Sequence, residues 1–201
     1  MARSPVAPPA LLAALLLLSV PAAAVAQSSS PILEVHGGIG LPAFDLADRV
    51  DPGPAFGLEL GYRLSDRVSL VAGGDVELLS GEAGALVDHP DVNAWHYGVG
   101  IEAGLVDPAR TYWRLRAGVG AGAATFDVSG GGSATDPALW ASLELGRELS
   151  EEMELAVGLR PWLAFTGEGG LGPDPRGGGV GGDGGDTLWS FPLTAALRLT
   201  F

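Results

Sequence analysis

Thr187-Leu-Trp-Ser-Phe-Pro-Leu-Thr-Ala-Ala-Leu-Arg-Leu-Thr-Phe201 closes the chain, and its alternation of polarity decides the fold. Trp189, Phe191, Leu193, Ala195, Leu197, Leu199 and Phe201 fall on one face of a strand, while Ser190, Thr194, Arg198 and Thr200 fall on the other. An apolar stripe that runs to an aromatic carboxy-terminus suits a strand with lipid on one side and a polar lumen on the other. A water-exposed strand has no use for it.

The amino-terminal end points the same way. Arg3 precedes an apolar and small-residue run from Ala10 to Ala24, followed by Ala24-Val25-Ala26, an A-x-A pattern that predicts cleavage before Gln27. Residues 1–26 are therefore expected to be a signal peptide, and residues 27–201 an exported barrel domain. The run is short for a membrane span, and no second long apolar run follows. With 0 cysteines, no disulfide framework is available after export. The formal charge of -13 becomes -14 once Arg3, the one charge of the leader, is removed. An acidic chain without lysine excludes nucleic acid as an expected partner, because phosphate binding needs clustered cations.

Eight period-two segments lie between turn signals, at about 32–42, 54–64, 67–79, 94–106, 111–127, 138–149, 153–166 and 187–201. Tight turns at Leu64-Ser65-Asp66-Arg67, Asp107-Pro108-Ala109-Arg110 and Ser150-Glu151-Glu152 alternate with longer stretches rich in Gly, Pro and Asp. An even number of strands, with short turns and both termini at one end, predicts an all-β, eight-stranded antiparallel transmembrane barrel. Helices fail on composition: Gly118, Gly120 and Gly122 would each weaken a helix by about 1 kcal/mol.

Face assignment follows from parity. Outward fall Leu33, Val35, Leu58, Leu60, Leu70, Val99, Ile101, Leu115, Leu143, Leu145, Leu155 and Val157, none of them charged. Tyr62, Trp113 and Phe201 collect toward the short-turn rim, and Phe56, Trp95, Tyr97, Trp189 and Phe191 toward the loop rim, as two aromatic girdles. Inward, Glu34, Glu59, Arg63, Glu102, Arg114, Arg116, Glu144 and Arg198 share one cross-section and are expected to pair as an ion-pair network, with His36 beside them. Nearer the loops lie lumen glycines with Asp75, Glu77, His96, Trp140 and Trp162. The expected interior is a cup, closed below by ion pairs and partly open above the glycines.

Gly61-Tyr62-Arg63-Leu64-Ser65-Asp66-Arg67-Val68-Ser69-Leu70, a strand-turn-strand phrase, together with the terminal aromatic strand, resembles the small eight-stranded outer-membrane β-barrels of diderm bacteria, similar to the outer-membrane protein A transmembrane domain. The resemblance covers essentially the whole mature chain. It implies residence in the outer membrane among lipid and lipopolysaccharide, and Phe201 as the signal read by the barrel assembly machinery. Its motifs are specific to the fold and say little about function, for which a non-enzymatic structural or adhesive surface role is the leading expectation.

Chemistry-bearing motifs are sparse. The histidines are His36, His89 and His96, and no serine stands in a G-x-S-x-G frame. His96 with Ser80 or Ser190 is the pair a lipid-modifying enzyme would use, but no third orienting group accompanies it, so neither catalytic residues nor a cofactor is expected. Gly181-Gly-Asp-Gly-Gly-Asp-Thr-Leu-Trp189 matches one copy of a calcium nonapeptide that works in stacked repeats, which favours a glycine linker and assigns no metal site. The alternative function is binding or passage of a small solute. A soluble lipocalin-like carrier would need the inverse face pattern.

Overall fold

The computed structural model describes residues 30–47, 49–81, 90–106, 112–130, 132–166 and 187–201. The signal segment 1–26 lies outside these residues. So do Asp107-Pro108-Ala109-Arg110, His89 and the first six positions of the nonapeptide match.

Twelve strands build eight staves. β1 (Pro31–Gly40) is continued by β2 (Pro42–Ala43), and β3 (Val50–Asp51) lies in the connection to β4 (Gly53–Arg63). β5 (Val68–Gly81), β6 (Val92–Gly104), β7 (Trp113–Val128) and β8 (Ser133–Ser150) follow as single strands. The seventh stave is β9 (Met153–Leu159) with β10 (Trp162–Phe165), and the eighth is β11 (Thr187–Ser190) with β12 (Leu193–Thr200). Each stave is antiparallel to its neighbours, and β1 pairs with both β4 and β12, which closes the ring.

Prolines explain the breaks in the seventh and eighth staves. Pro161 and Pro192 carry no N–H and each removes one ladder bond. Pairing continues in one register across both breaks, from Leu193↔Leu159 to Trp162↔Ser190. The Ala141 N–H donates to the Pro161 carbonyl at 2.9 Å, and the Arg160 N–H to the Pro192 carbonyl at 3.0 Å. At the turn after β4, Ser65 Oγ accepts from the Val68 N–H at 3.2 Å, which fixes the hairpin the sequence predicts.

Register sets the shape of the tube. Moving from partner to partner, Leu33 leads through Leu60, Ala72, Val99, Ala121, Leu139, Leu163 and Trp189 back to Ala43, 10 residues further along the first stave. With strands about 4.8 Å apart and a rise of about 3.3 Å per residue, that offset over eight staves tilts them by about 40° from the barrel axis. The resulting interior is narrow enough for side chains to fill.

Parity sorts the faces as expected. Val35, Leu58, Leu60, Val99, Ile101, Leu143, Leu145, Leu155, Val157 and Leu197 are exposed on the outer wall, whereas Glu34, Glu59, Glu102, Glu144 and Arg198 are buried inside it. Arg147 is an outward charge that the hydrophobic stripes do not announce. It lies near the short-turn rim with its guanidinium 5.9 Å from the Trp113 ring centroid, a cation–π placement where headgroups begin. On the loop side Trp189 stacks on Phe191 at 6.1 Å and meets Phe44 edge-on at 5.9 Å.

The loop-side half of the interior corrects the open cup. Leu46 and Val50, from the connection between the first two staves, fold inward against Leu79, Val92, Phe126 and Leu188, and all six are buried. An apolar cap therefore fills part of the end where the glycines suggested space. Part of the glycine row is filled as well: a Cβ at Gly100 or Gly120 would strike the Trp140 ring, so these positions make room for an indole from another stave.

Lipid-side and loop-side substitutions should separate cleanly. Leu143, 51% exposed at mid-stave, should lose about 2–4 kcal/mol on change to Arg, whereas Ser133→Arg at the exposed start of β8 should lose less than about 1 kcal/mol. Urea unfolding of both variants folded in lipid vesicles measures the difference.

Candidate functional site

The inner wall carries its chemistry in layers along the axis. Nearest the short turns, Arg114 Nη2 donates to Glu148 Oε2 at 2.8 Å across the β7–β8 pair, and both side chains keep contact with solvent. Arg63, at the end of β4, forms no ion pair with a carboxylate among the described residues.

The next layer is a closed network of three guanidinium groups and five carboxylates. Arg198 Nε donates to Glu34 Oε2 at 2.7 Å, and its Nη2 to Glu102 Oε2 at 2.5 Å and Glu59 Oε1 at 3.3 Å. Arg116 Nη2 donates to Glu144 Oε2 at 2.6 Å and lies 3.5 Å from Glu34 Oε2, while its Nη1 is bonded to Glu154. Arg160 Nη2 is bonded to both Glu34 and Glu144, and its Nη1 lies 3.5 Å from Glu59 Oε2. Glu34 is thus met by all three arginines. Backbone register supplies the starting contacts, since Glu34 is the Cα partner of both Arg198 and Glu59, and Arg116 is the partner of Glu144.

Glycines shape this layer too. A Cβ at Gly158 would approach Glu144 Cγ at 2.6 Å, and one at Gly146 would strike the Glu154 carboxylate, so both glycines admit a charged side chain from the adjacent stave. The network draws on every stave except that of β5.

Of the residues expected to pair, the structure brings Glu34, Glu59, Glu102, Arg116, Glu144 and Arg198 into one cluster. Two placements differ. Arg114 turns to Glu148 instead of the central glutamates, because its position two residues nearer the strand end puts it at the rim. Arg63, the last residue of β4, is likewise near the rim and is left outside the cluster.

Three participants escaped the sequence reading. Arg160, Glu154 and Glu148 all stand on inward positions: Arg160 and Glu154 share the parity of Trp162, and Glu148 that of Glu144. The parity signal was present, but Pro161 interrupts the alternation beside Arg160, and Glu148 and Glu154 sit next to a turn rich in glutamate. Among the described residues, no set of three or more His, Asp or Glu side chains is arranged to hold a metal ion.

Above the charges lies a mixed layer. His36 Nε2 is bonded to Asp75 Oδ1, and Glu77 accepts from Trp162 Nε1 and from Ser190 Oγ, each at 2.6 Å. His96 packs against Trp162 with ring centroids 3.5 Å apart and the planes tilted by 39°, and neither of its ring nitrogens has a hydrogen-bond partner. Ser190 is therefore engaged with Glu77 and not with His96, and Ser80 lies on the outer face of β5. No serine–histidine hydrogen bond forms between them. Between the charged layer and the apolar cap is a cavity of about 40 Å³ bordered by Glu59, Asp75, His96, Trp140, Arg160 and Trp162.

A tilted, closed ring of eight staves with an apolar outer wall and a charged, filled interior is the geometry of a small outer-membrane barrel. The family described as outer membrane protein beta-barrel domain matches residues 10–160. The chain belongs to this family, and its place is the outer membrane. Among solved structures, Neisserial surface protein A superposes with a TM-score of 0.61 at 12% identity, covering 87% of this chain and 100% of that one. The N-terminal β-barrel domain of Pseudomonas aeruginosa OprF gives a TM-score of 0.50 at 11% identity, again over 87% of this chain and 100% of the other. At such identities the likeness concerns the fold alone. No sequence among curated proteins matches this chain.

Buried and rim ion pairs should respond differently to truncation. Arg160→Ala leaves Glu34 and Glu144 each short of a partner in a dry layer and should destabilise the barrel by about 3–5 kcal/mol. Arg114→Ala, at the solvated rim, should cost less than about 1 kcal/mol. Equilibrium unfolding of the two variants in the same detergent gives both values.

Proposed function

We propose that this protein is a non-enzymatic surface barrel of the outer membrane whose closed lumen makes it a rigid mount for its longer connections, in a structural or adhesive role. The observation that carries this reading is the lumen. Three arginines tied to five glutamates span its cross-section, and an apolar cap of Leu46, Val50, Leu79, Phe126 and Leu188 lies over the loop end. Ions crossing such a tube meet side chains at two successive levels.

Export by the 1–26 segment, recognition of Phe201 by the assembly machinery, and contact with lipopolysaccharide complete the proposal. Phe201 is exposed at the short-turn rim, with its N–H bonded to the Pro31 carbonyl at 3.0 Å, so its ring is presented outside the barrel.

A second reading, binding or passage of a small solute, draws on the cavity between the two layers. Planar-bilayer recording separates the two. The refolded wild type should show no steady conductance, whereas Arg116→Ala combined with Arg198→Ala should open a path lined by the remaining glutamates and give cation-selective current. Steady wild-type current unaltered by the double substitution would favour passage.

A further inference from the structure

The cavity sits where the lumen's charges fail to balance. Around and below it the described lumen holds the carboxylates of Glu34, Glu59, Glu102, Glu144, Glu154, Asp75 and Glu77 against the guanidinium groups of Arg116, Arg160 and Arg198 and the single imidazole of His36, which lies between Glu34 and Asp75. The three arginines give their terminal nitrogens to Glu34, Glu59, Glu102, Glu144 and Glu154. Asp75 is left with His36 as its hydrogen-bond partner. Asp75 points into the barrel at mid-height, yet 29% of its side-chain surface is open. That open surface is cavity wall.

His96 supplies the second observation. It is the Cα partner of Asp75 on the next stave, only 8% exposed, and it borders the cavity with neither ring nitrogen hydrogen-bonded, Nδ1 lying 3.8 Å from Glu77 Oε1. A buried imidazole with no partner is costly unless the space beside it holds one. Its neutral form offers one nitrogen lone pair toward a donor. The indole rings of Trp140 and Trp162 border the same cavity.

We propose that this cavity is a binding site for one small monovalent cation of ammonium or potassium size, held by Asp75 and Glu59 with the His96 ring and the two indoles around it. Several features select this class. Carboxylates in excess call for positive charge, and a wall built partly of aromatic rings favours a weakly hydrated cation over a small, tightly hydrated one. No described trio of carboxylate and imidazole groups is arranged to supply the three or more charged or imidazole ligands that a divalent or transition metal draws on. A volume of about 40 Å³ admits a single ion with one or two waters and excludes a bulky quaternary amine. Arg160 does not occupy the role, because its terminal nitrogens are turned toward Glu34, Glu144 and Glu59.

The site is loaded by refolding the full mature chain into non-ionic detergent in equal concentrations of ammonium, potassium or tetramethylammonium chloride, and it is read by the thermal unfolding midpoint. An ion present at about ten times its dissociation constant should raise the midpoint by roughly 3–5 °C over tetramethylammonium. Two variants keep the test specific. Ala138→Met fills the cavity without altering any carboxylate, and Asp75→Asn removes the least-paired charge; in each, the difference between salts should vanish even if the absolute midpoint moves. A rise with ammonium alone assigns hydrogen-bond donation as the feature read, and an equal rise with potassium assigns size and charge. Equal midpoints in all three salts, or a difference that survives in Ala138→Met, would overturn the proposal.

Discussion

A backbone in hydrocarbon has no water to bond with, so every N–H and C=O of a lipid-facing strand must find its partner inside the protein. Closure of β1 onto β12 meets this demand, since an open sheet would leave two edges unpaired. The demand explains why the wall tolerates Pro161 and Pro192 only where the register continues on both sides and neighbouring bonds hold the staves together. It also makes the outer surface simple: apolar between two aromatic belts, with Arg147 kept at the rim.

Closure creates the second problem, an interior too narrow for bulk water and too polar in sequence to be an ordinary core. The residue offset of 10 around the ring brings inward positions from different strand depths to one level. At the lower level the result is a network in which Glu34 joins three arginines, at the upper a core of ordinary apolar side chains. Truncating one member of such a network exposes the others, which is why its members act as a unit. Trp140 against Gly100 and Gly120, and Glu144 against Gly158, show how the two levels are packed.

The staves were legible because period-two alternation is strict wherever lipid lies on one side. Leu58, Leu60, Tyr62 and Glu59 could hardly be sorted otherwise. Depth was less legible, because a tilt of about 40° moves cross-strand partners up the axis by amounts no single strand reveals. Parity alone places Arg114 and Arg63 in the central layer, yet their depth takes them to the rim. Arg160 was overlooked although its parity matches Trp162, because a proline follows it. The apolar cap was invisible for a different reason: Leu46 and Val50 belong to a connection rich in Pro and Asp, and only their burial under the neighbouring staves identifies them as core.

A single introduced thiol tests the closed lumen most directly, because the chain has no cysteine of its own. Ser142 points inward between the charged layer and the cavity, is 5% exposed, and is nearly isosteric with cysteine. In the folded Ser142→Cys barrel, a small water-soluble thiol reagent should react no faster than the protein unfolds, and promptly once urea has opened it. Reaction in the folded state at the rate of a free thiol would show that water and solutes already reach mid-barrel, and would contradict the account.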